Sequence, residues 1–482
     1  METVVSNLEP KALWKHFEAL CAIPRASQKE AAARNYVLGV AARLGLEATV
    51  DAVGNVVVRK PAAPGRQQAV MAALQGHLDM VCEQNEGGTH NFDTDPIRLV
   101  RDGDWLTAAG TTLGADNGVG VAAALAVMES HDIAHGPLEF VFTIDEESGL
   151  TGASDFPAGA LQAKYFLNLD GEEEGTLCIG CAGGINTVAR RKITRHPAGA
   201  GEAWRIRVSG LAGGHSGIDI HKGRGNALRI LGRVLEAAIE RLPIEVAEVK
   251  GGSKHNAIPR EASAIVVLDA AREPELRDWL SGLEADIRAD LGSFDPGVRI
   301  TVEGVARPSQ VMTAADASAV AGLLDTLHHG VLAMSPDIPG LVQTSTNLAI
   351  VSTHQDYVEI ETSQRSSIEA SKRSAARMVS TVLRLAGFDP VHAGGYPGWK
   401  PEPTSDIVRA AKEAHREILG STPELVAMHA GLECGVIGEK HPGMQMISFG
   451  PQIENPHSPG ERLKISSVEP FWRLLTGLLE RI

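Results

Sequence analysis

A chain of 482 residues, 43% of them hydrophobic, can bury a large core and is long for one domain, so two domains are expected. Its 45 Lys plus Arg against 60 Asp plus Glu leave a formal net charge of −15, which argues against a nucleic-acid groove. The N-terminus lacks a basic segment leading into an apolar signal core, no stretch approaches about 18 uninterrupted apolar residues, and the five cysteines are scattered; no signal peptide, membrane span or disulfide framework is expected, and the cytoplasm is the expected location.

From the N-terminus, residues 10–20 and 28–44 read as helices, the second with Ala31, Ala32, Val37, Leu38, Ala41 and Leu44 on its inner stripe. Gly54-Asn55 turns the chain into Val56-Val57-Val58, and residues 68–74 supply a strand ahead of His77. Residues 83–110 are polar and glycine-punctuated, with a short strand pair at best. Residues 118–128 form a helix almost wholly of Ala and Val, which suggests close packing on a sheet. Buried strands are predicted at 138–144 and 165–169. This alternation indicates α/β with a mostly parallel or mixed sheet. Beyond the second of these strands, Cys178 and Cys181 form a CxxC with no second pair, read as small core or turn residues, with a structural zinc knuckle as the alternative.

The pattern changes after Gly184. Residues 204–208 alternate with period two, as a half-exposed antiparallel strand does. Helices are predicted at 226–239, 276–291, 317–327 and 367–386, and strands at 244–249, 263–268, 298–305, 348–351 and 358–362. Two β-α-β-β-like halves would fill a second, α+β domain at 186–392. The glycine- and proline-rich segment 394–401 reads as a crossing back to the first domain, residues 1–185 and 393–482. A helix at 407–419, strands at 425–428 and 444–449 and a helix at 469–482 complete it.

Residues suited to metal binding recur at the ends of these elements. In His77-Leu78-Asp79 one imidazole nitrogen can face a metal while the carboxylate holds the other. Asp116-Asn117-Gly118 opens the Ala/Val helix, Asp145-Glu146-Glu147 and Asp170 follow buried strands, and His457 lies near the C-terminus. The set reads as a metal site at the carboxyl edge of an α/β sheet. Blander readings exist for the parts: Asp116-Asn117-Gly118 as a helix cap, and Glu146-Glu147 as a solvated acidic face. Glu172-Glu173-Glu174 is taken as such a face, and His131, His135 and His221 as surface residues.

The segments LQGHLDMV, GADNGVG, TIDEE, LDGEEEG, HSG and NPHSPGE, in that order along nearly the whole chain, resemble the aminoacyl-histidine dipeptidases (peptidase D, carnosinase-like). These belong to a superfamily of metallo-exopeptidases with two co-catalytic zinc ions. The resemblance implies a zinc-exopeptidase-like catalytic domain interrupted by a large lid. It implies that His77 and Asp170 hold one zinc, Glu147 and His457 the other, and that Asp116 bridges both. Glu146 would be the general base, Asp79 would orient His77, and a cis peptide bond would follow Asp116. In the lid it implies His215 as an oxyanion-stabilising donor with Asn256 nearby, and Arg365 as the clamp on a substrate carboxylate. Gly431, within HAGLECG, would line the substrate cleft. Zinc suits such imidazole and carboxylate donors, as do Mn²⁺ and Co²⁺.

The implied activity is hydrolysis of unblocked dipeptides, preferentially Xaa-His and including β-alanyl-histidine, by a metal-bridging water activated by Glu146. A tripeptidase, a carboxypeptidase or an N-acyl-amino-acid deacylase would use the same donors, and a metal-binding protein without hydrolysis is a further alternative. The expected partners are the dipeptide substrate and a second copy of the chain in a homodimer, with neither nucleic acid nor membrane.

Overall fold

The strand Ala72–His77 is buried at every position, as is its neighbour Leu138–Thr143. A strand covered on both faces normally reads as a continuous apolar run. Here the run ends in Gln75, Gly76 and His77, which is why the sequence reading placed this strand too early, at 68–74. A computed structural model describes residues 4–482. It divides into two compact units, one made of the chain up to Gly180 with Trp399–Ala427 and Leu432–Ile482, the other of Cys181–Gly398 with Met428–Gly431.

The first unit carries an eight-stranded sheet. Its order is Glu47–Val50, Val56–Lys60, Leu138–Thr143, Ala72–His77, Tyr165–Asn168, Gln445–Ser448, Thr176–Cys181 and Glu424–Met428. The four strands from Leu138–Thr143 to Gln445–Ser448 run parallel, with His77 beside Thr143 and Gln75 beside Asn168. Their carboxyl ends therefore share one edge, the usual place for a site in such a sheet. The helix Ala115–Glu129 is buried from Ala115 to Met128. A Cβ at Gly120 would stand 2.3 Å from the Leu169 carbonyl, so the small residues of this helix do serve close packing on the sheet. The excursion at 83–110 holds the predicted strand pair, Leu99–Asp102 with Trp105–Ala108, and Arg462–Lys464 joins it from the far end of the chain. Helix Ala31–Arg43 buries Ala33, Val37, Val40 and Ala41; the expected inner positions Ala31 and Ala32 are exposed.

The second unit is built on an antiparallel nine-stranded sheet whose core side is covered by Ala227–Arg241, Glu273–Leu291, Ala314–Thr326 and Glu369–Leu385. One apolar core runs through it, from Leu231, Leu235 and Leu276 to Val351, Ile360 and Leu383. Its two halves meet edge to edge where Lys250 and Gly251 pair with Ser352 and Val351. Among the strands absent from the sequence-based expectation, two lie side by side in this sheet. Gly183–Lys192 begins with glycines and ends in charges, and Asp389–Tyr396, expected to be partly a crossing segment, is a mostly exposed edge strand with two glycines. Neither carries the apolar alternation by which strands are recognised. Among the described residues no helix is long and apolar enough to cross a membrane.

Candidate active site

At the carboxyl edge of the first unit, Asp79 organises the residues around it. Its Oδ1 lies 3.3 Å from His77 Nδ1 and accepts the Glu146 amide at 3.1 Å; Oδ2 accepts the Glu147 amide at 3.1 Å and the Ser27 hydroxyl at 2.8 Å. One carboxylate thus pins both an imidazole and the start of the short helix Glu146–Gly149. That helix leaves the strand through Asp145, which sits in the left-handed region at φ 52°. The turn lets consecutive glutamates diverge: Glu147 Oε2 is 3.1 Å from His457 Nε2, while Glu146 has a carboxylate oxygen within 4.8 Å of donor atoms on His77 and Glu147.

Asp116 is shared. Its Oδ1 is 2.9 Å from His77 Nε2 and its Oδ2 is 3.0 Å from His457 Nε2. Asp170 Oδ1 lies 3.4 Å from His77 Nε2. Two donor sets result, His77–Asp116–Asp170 and Asp116–Glu147–His457, each with ligand atoms within 4.8 Å of one another. The Asp116–Asn117 peptide bond is cis. A further acidic group, Glu30–Asp79–Asp145, has the same spacing, but its carboxylates already accept from Gln28, the Asp145 amide, Ser148 and Thr151.

These residues fit divalent cations. Buried polar atoms are nearly always paired, yet Glu147 Oε1 and Asp170 Oδ1 are buried without a hydrogen bond. Charge tells the same story. Hydrogen bonds to Asp116 and Glu147 push His457 up to about 11. Burial pulls His77 down, but Asp170, Asp116 and Asp79 outweigh it and hold the ring well above its ordinary value. Burial raises Asp170 to about 7 and lifts Glu146 well above the carboxylate range, with Asp170, Glu433 and Glu147 adding to the latter. The pocket has more carboxylate than its two imidazoles can neutralise, which a pair of cations would correct.

Several supporting residues carried no signal in the sequence. Glu172, expected to be solvated with Glu173 and Glu174, is mostly buried and pushed up to about 7 by burial and then by Asp116; only Glu173 and Glu174 are exposed. His135 is buried, not a surface residue, and contacts the Gly136 carbonyl. Buried Arg25 donates to the carbonyls of Leu78, Asp79 and Gly114, tying the His77 loop to the Asp116 loop. Beneath His77, Gln75 and Thr143 donate to buried Glu433, and Asn168 donates to Gln75.

Glu461, buried in the NPHSPGE segment, accepts the amides of Leu113, Gly114, Ala115 and Asp116 at 2.7–3.3 Å. It anchors the loop that carries Asp116 to the segment that carries His457. Glu461→Ala strands four amides and should lower the unfolding free energy by about 2–4 kcal/mol, read by urea denaturation. A loss below about 0.5 kcal/mol would contradict this role.

In the second unit, the pair Gly214–His215 with Ala257–Ile258, and the Ser216 amide on the Asn256 carbonyl at 2.8 Å, set His215 beside Asn256. His215 Nδ1 accepts the amides of Gly217 and Ile218 at 3.2 and 3.1 Å, so the neutral ring carries its proton on Nε2 and donates from there. Burial and then Arg365 lower its pKa, favouring that neutral form. Arg365 is 6% exposed and donates through Nη1 to Tyr396 Oη, and a Cβ at Gly431 would stand 2.8 Å from the Tyr396 ring. His77, Asp79, Asp116, Glu146, Glu147, Asp170 and His457 thus gather in the first unit, and His215, Asn256, Arg365 and Gly431 belong to the second.

The chain is similar to known proteins along its whole length. It is 38% identical to the cytosol non-specific dipeptidase of Escherichia coli K12 over 479 residues, covering 99% of each chain. The crystal structure of aminoacylhistidine dipeptidase from Vibrio alginolyticus is 41% identical, with a TM-score of 0.93 over 100% of this chain and 98% of that one. Aminopeptidase PepT from Bacillus cereus shares the fold at 18% identity, with a TM-score of 0.56 over 98% of both chains. The profile of peptidase family M20/M25/M40 matches residues 73–481. With a carboxylate-rich centre at the sheet edge and these likenesses along its whole length, the chain belongs to peptidase family M20/M25/M40.

Proposed function

We propose that this protein is a metal-dependent dipeptidase that cleaves unblocked dipeptides, with Xaa-His preferred and β-alanyl-histidine among its substrates. The observation that carries the reading is the sharing of Asp116 between two imidazoles, which divides the donors into two sets of three around one carboxylate. The E. coli and Vibrio relatives, a non-specific dipeptidase and an aminoacylhistidine dipeptidase, support the substrate class. The first of these, a cytosol enzyme, also supports a cytoplasmic location.

In this reading His77 and Asp170 would hold one cation, Glu147 and His457 a second, and Asp116 would be shared; zinc suits the donors, with Mn²⁺ or Co²⁺ as substitutes. When bound, the cations supply Lewis acidity that polarises the scissile carbonyl and makes water a stronger acid. Glu146, whose carboxylate burial makes a stronger base, would take a proton from the attacking water and pass it to the leaving amine. Asp79 holds His77 in one orientation through Nδ1. His215 donates from Nε2 to the developing oxyanion with Asn256 nearby, Arg365 binds the C-terminal carboxylate, and Gly431 contributes backbone to the substrate cleft.

The test is kcat/KM for Ala-His, Ala-Leu, Ala-Ala-His and acetyl-Ala-His. Ala-His is expected to be cut fastest. Preference for the acetylated substrate would replace this reading with a deacylase, and efficient cleavage of Ala-Ala-His with a tripeptidase. We also propose a homodimer; sedimentation at several concentrations checks it, a single 51.0 kDa species being the contrary result.

A further inference from the structure

Four neighbouring strands of the second unit place Ser345, Arg365, Gly184 and Tyr396 in one row. Ser345 pairs with Arg365, Arg365 with Gly184 and Gly184 with Tyr396. Residues directly opposite in antiparallel strands project to the same face. Gly184, third in this row, has no side chain, and that gap is filled. A Cβ there would come within 2.6 Å of the Tyr396 ring and 2.8 Å of its Oη. Across the gap Arg365 Nη1 donates to Tyr396 Oη at 2.8 Å.

The phenol is held from other directions too. The pairing of Gly183–Lys192 with Asp389–Tyr396 shifts register between Ala393 and Tyr396, a bulge that re-aims the tyrosine. Lys372 Nζ donates to the Tyr396 carbonyl at 2.7 Å, and Gly431 leaves room for the ring. On the other flank of Arg365, Ser345 Oγ is 2.7 Å from His429 Nε2. Burial and then the charge of Arg365 push His429 down to about 3, so that neighbour adds no positive charge. Arg365 itself is nine-tenths buried, and its Nε has no hydrogen-bond partner. With Nη1 committed to the phenol, the fork of Nε and Nη2 is the edge that can take a planar carboxylate with two parallel hydrogen bonds.

We propose that Tyr396 is the positioning residue of the carboxylate site, its hydroxyl fixing Arg365 so that the Nε–Nη2 edge meets the C-terminal carboxylate of the dipeptide, across a gap that Gly184 keeps open. This rests on the carboxylate-binding role given to Arg365 above. Tyr396→Phe keeps the ring and removes the hydroxyl. It should raise KM for Ala-His roughly tenfold with kcat changed by less than about twofold, and leave kcat/KM for Ala-His-amide unaltered. In an Arg365→Ala background the same change should add nothing. Gly184→Ala, whose methyl displaces the ring, should reproduce the loss selective for the free carboxylate.

A merely structural tyrosine would lower the melting temperature and slow the acid and the amide alike; that result, or an unchanged KM for Ala-His, overturns the proposal. The two levels separate. If Arg365→Ala leaves the acid-to-amide preference intact, the carboxylate reading of Arg365 falls, and the inference with it. If Arg365→Ala abolishes the preference while Tyr396→Phe and Gly184→Ala preserve it, only the positioning role falls.

Discussion

Glu146→Gln is expected to lower kcat by at least about 10²-fold while leaving the bound metal in place. The substitution preserves volume and removes only the capacity to accept a proton. Glu146 and Glu147 are adjacent in sequence and both amides rest on Asp79, so the backbone contribution is common to the pair. The side chains differ: Glu147 meets His457, while Glu146 reaches toward His77 and Glu147 without an ion pair. Glu147→Gln should therefore weaken metal retention as well as rate. Kinetics combined with ion content separates the two, and equal metal loss in both variants would mean the roles had been wrongly divided.

Removing metal should have the larger effect. Dialysis against a chelator is expected to reduce activity by at least about 10³-fold, because Lewis-acid stabilisation is worth several kcal/mol and each 1.36 kcal/mol is tenfold in rate. The structure gives a second readout. Asp116, Asp170, Glu146, Glu147 and Glu172 crowd one mostly buried volume, and burial raises three of them toward neutrality. Cations that bind the native fold must stabilise it by mass action. The chelated protein should melt at a lower temperature, and zinc, Mn²⁺ or Co²⁺ should restore both melting point and rate. Full activity after removal of all metal would contradict the proposed mechanism.

Much of this was legible in the sequence because the site is strung along strand ends. His77, Asp170 and the two glutamates each close an apolar run, so strand patterning and chemistry point to the same positions. Asp116 and His457 joined the set from a helix start and from near the C-terminus, but their separate ligand roles came only from the resemblance of their segments; in isolation, Asp116-Asn117-Gly118 also reads as a helix cap. What stayed hidden acts through long-range contact. Arg25 and Glu461 are charged residues in unremarkable surroundings, and their burial follows from loops that meet only after folding. Glu172 looked like one of three solvated glutamates until the sheet edge brought Asp116 close enough to affect it. Tyr396 lay in a glycine-rich stretch that reads as a connector, and its partner across Gly184 is 31 residues away along the chain.

If Asp116 lies between two cations, as proposed, counting ions tests it most directly. Elemental analysis together with native mass spectrometry of gently purified, fully loaded protein should give about two transition-metal ions per chain. Asp116→Ala should retain fewer than one, since both donor sets lose a member. A fully active protein with a single ion per chain, or an Asp116→Ala variant that still holds two, would contradict it.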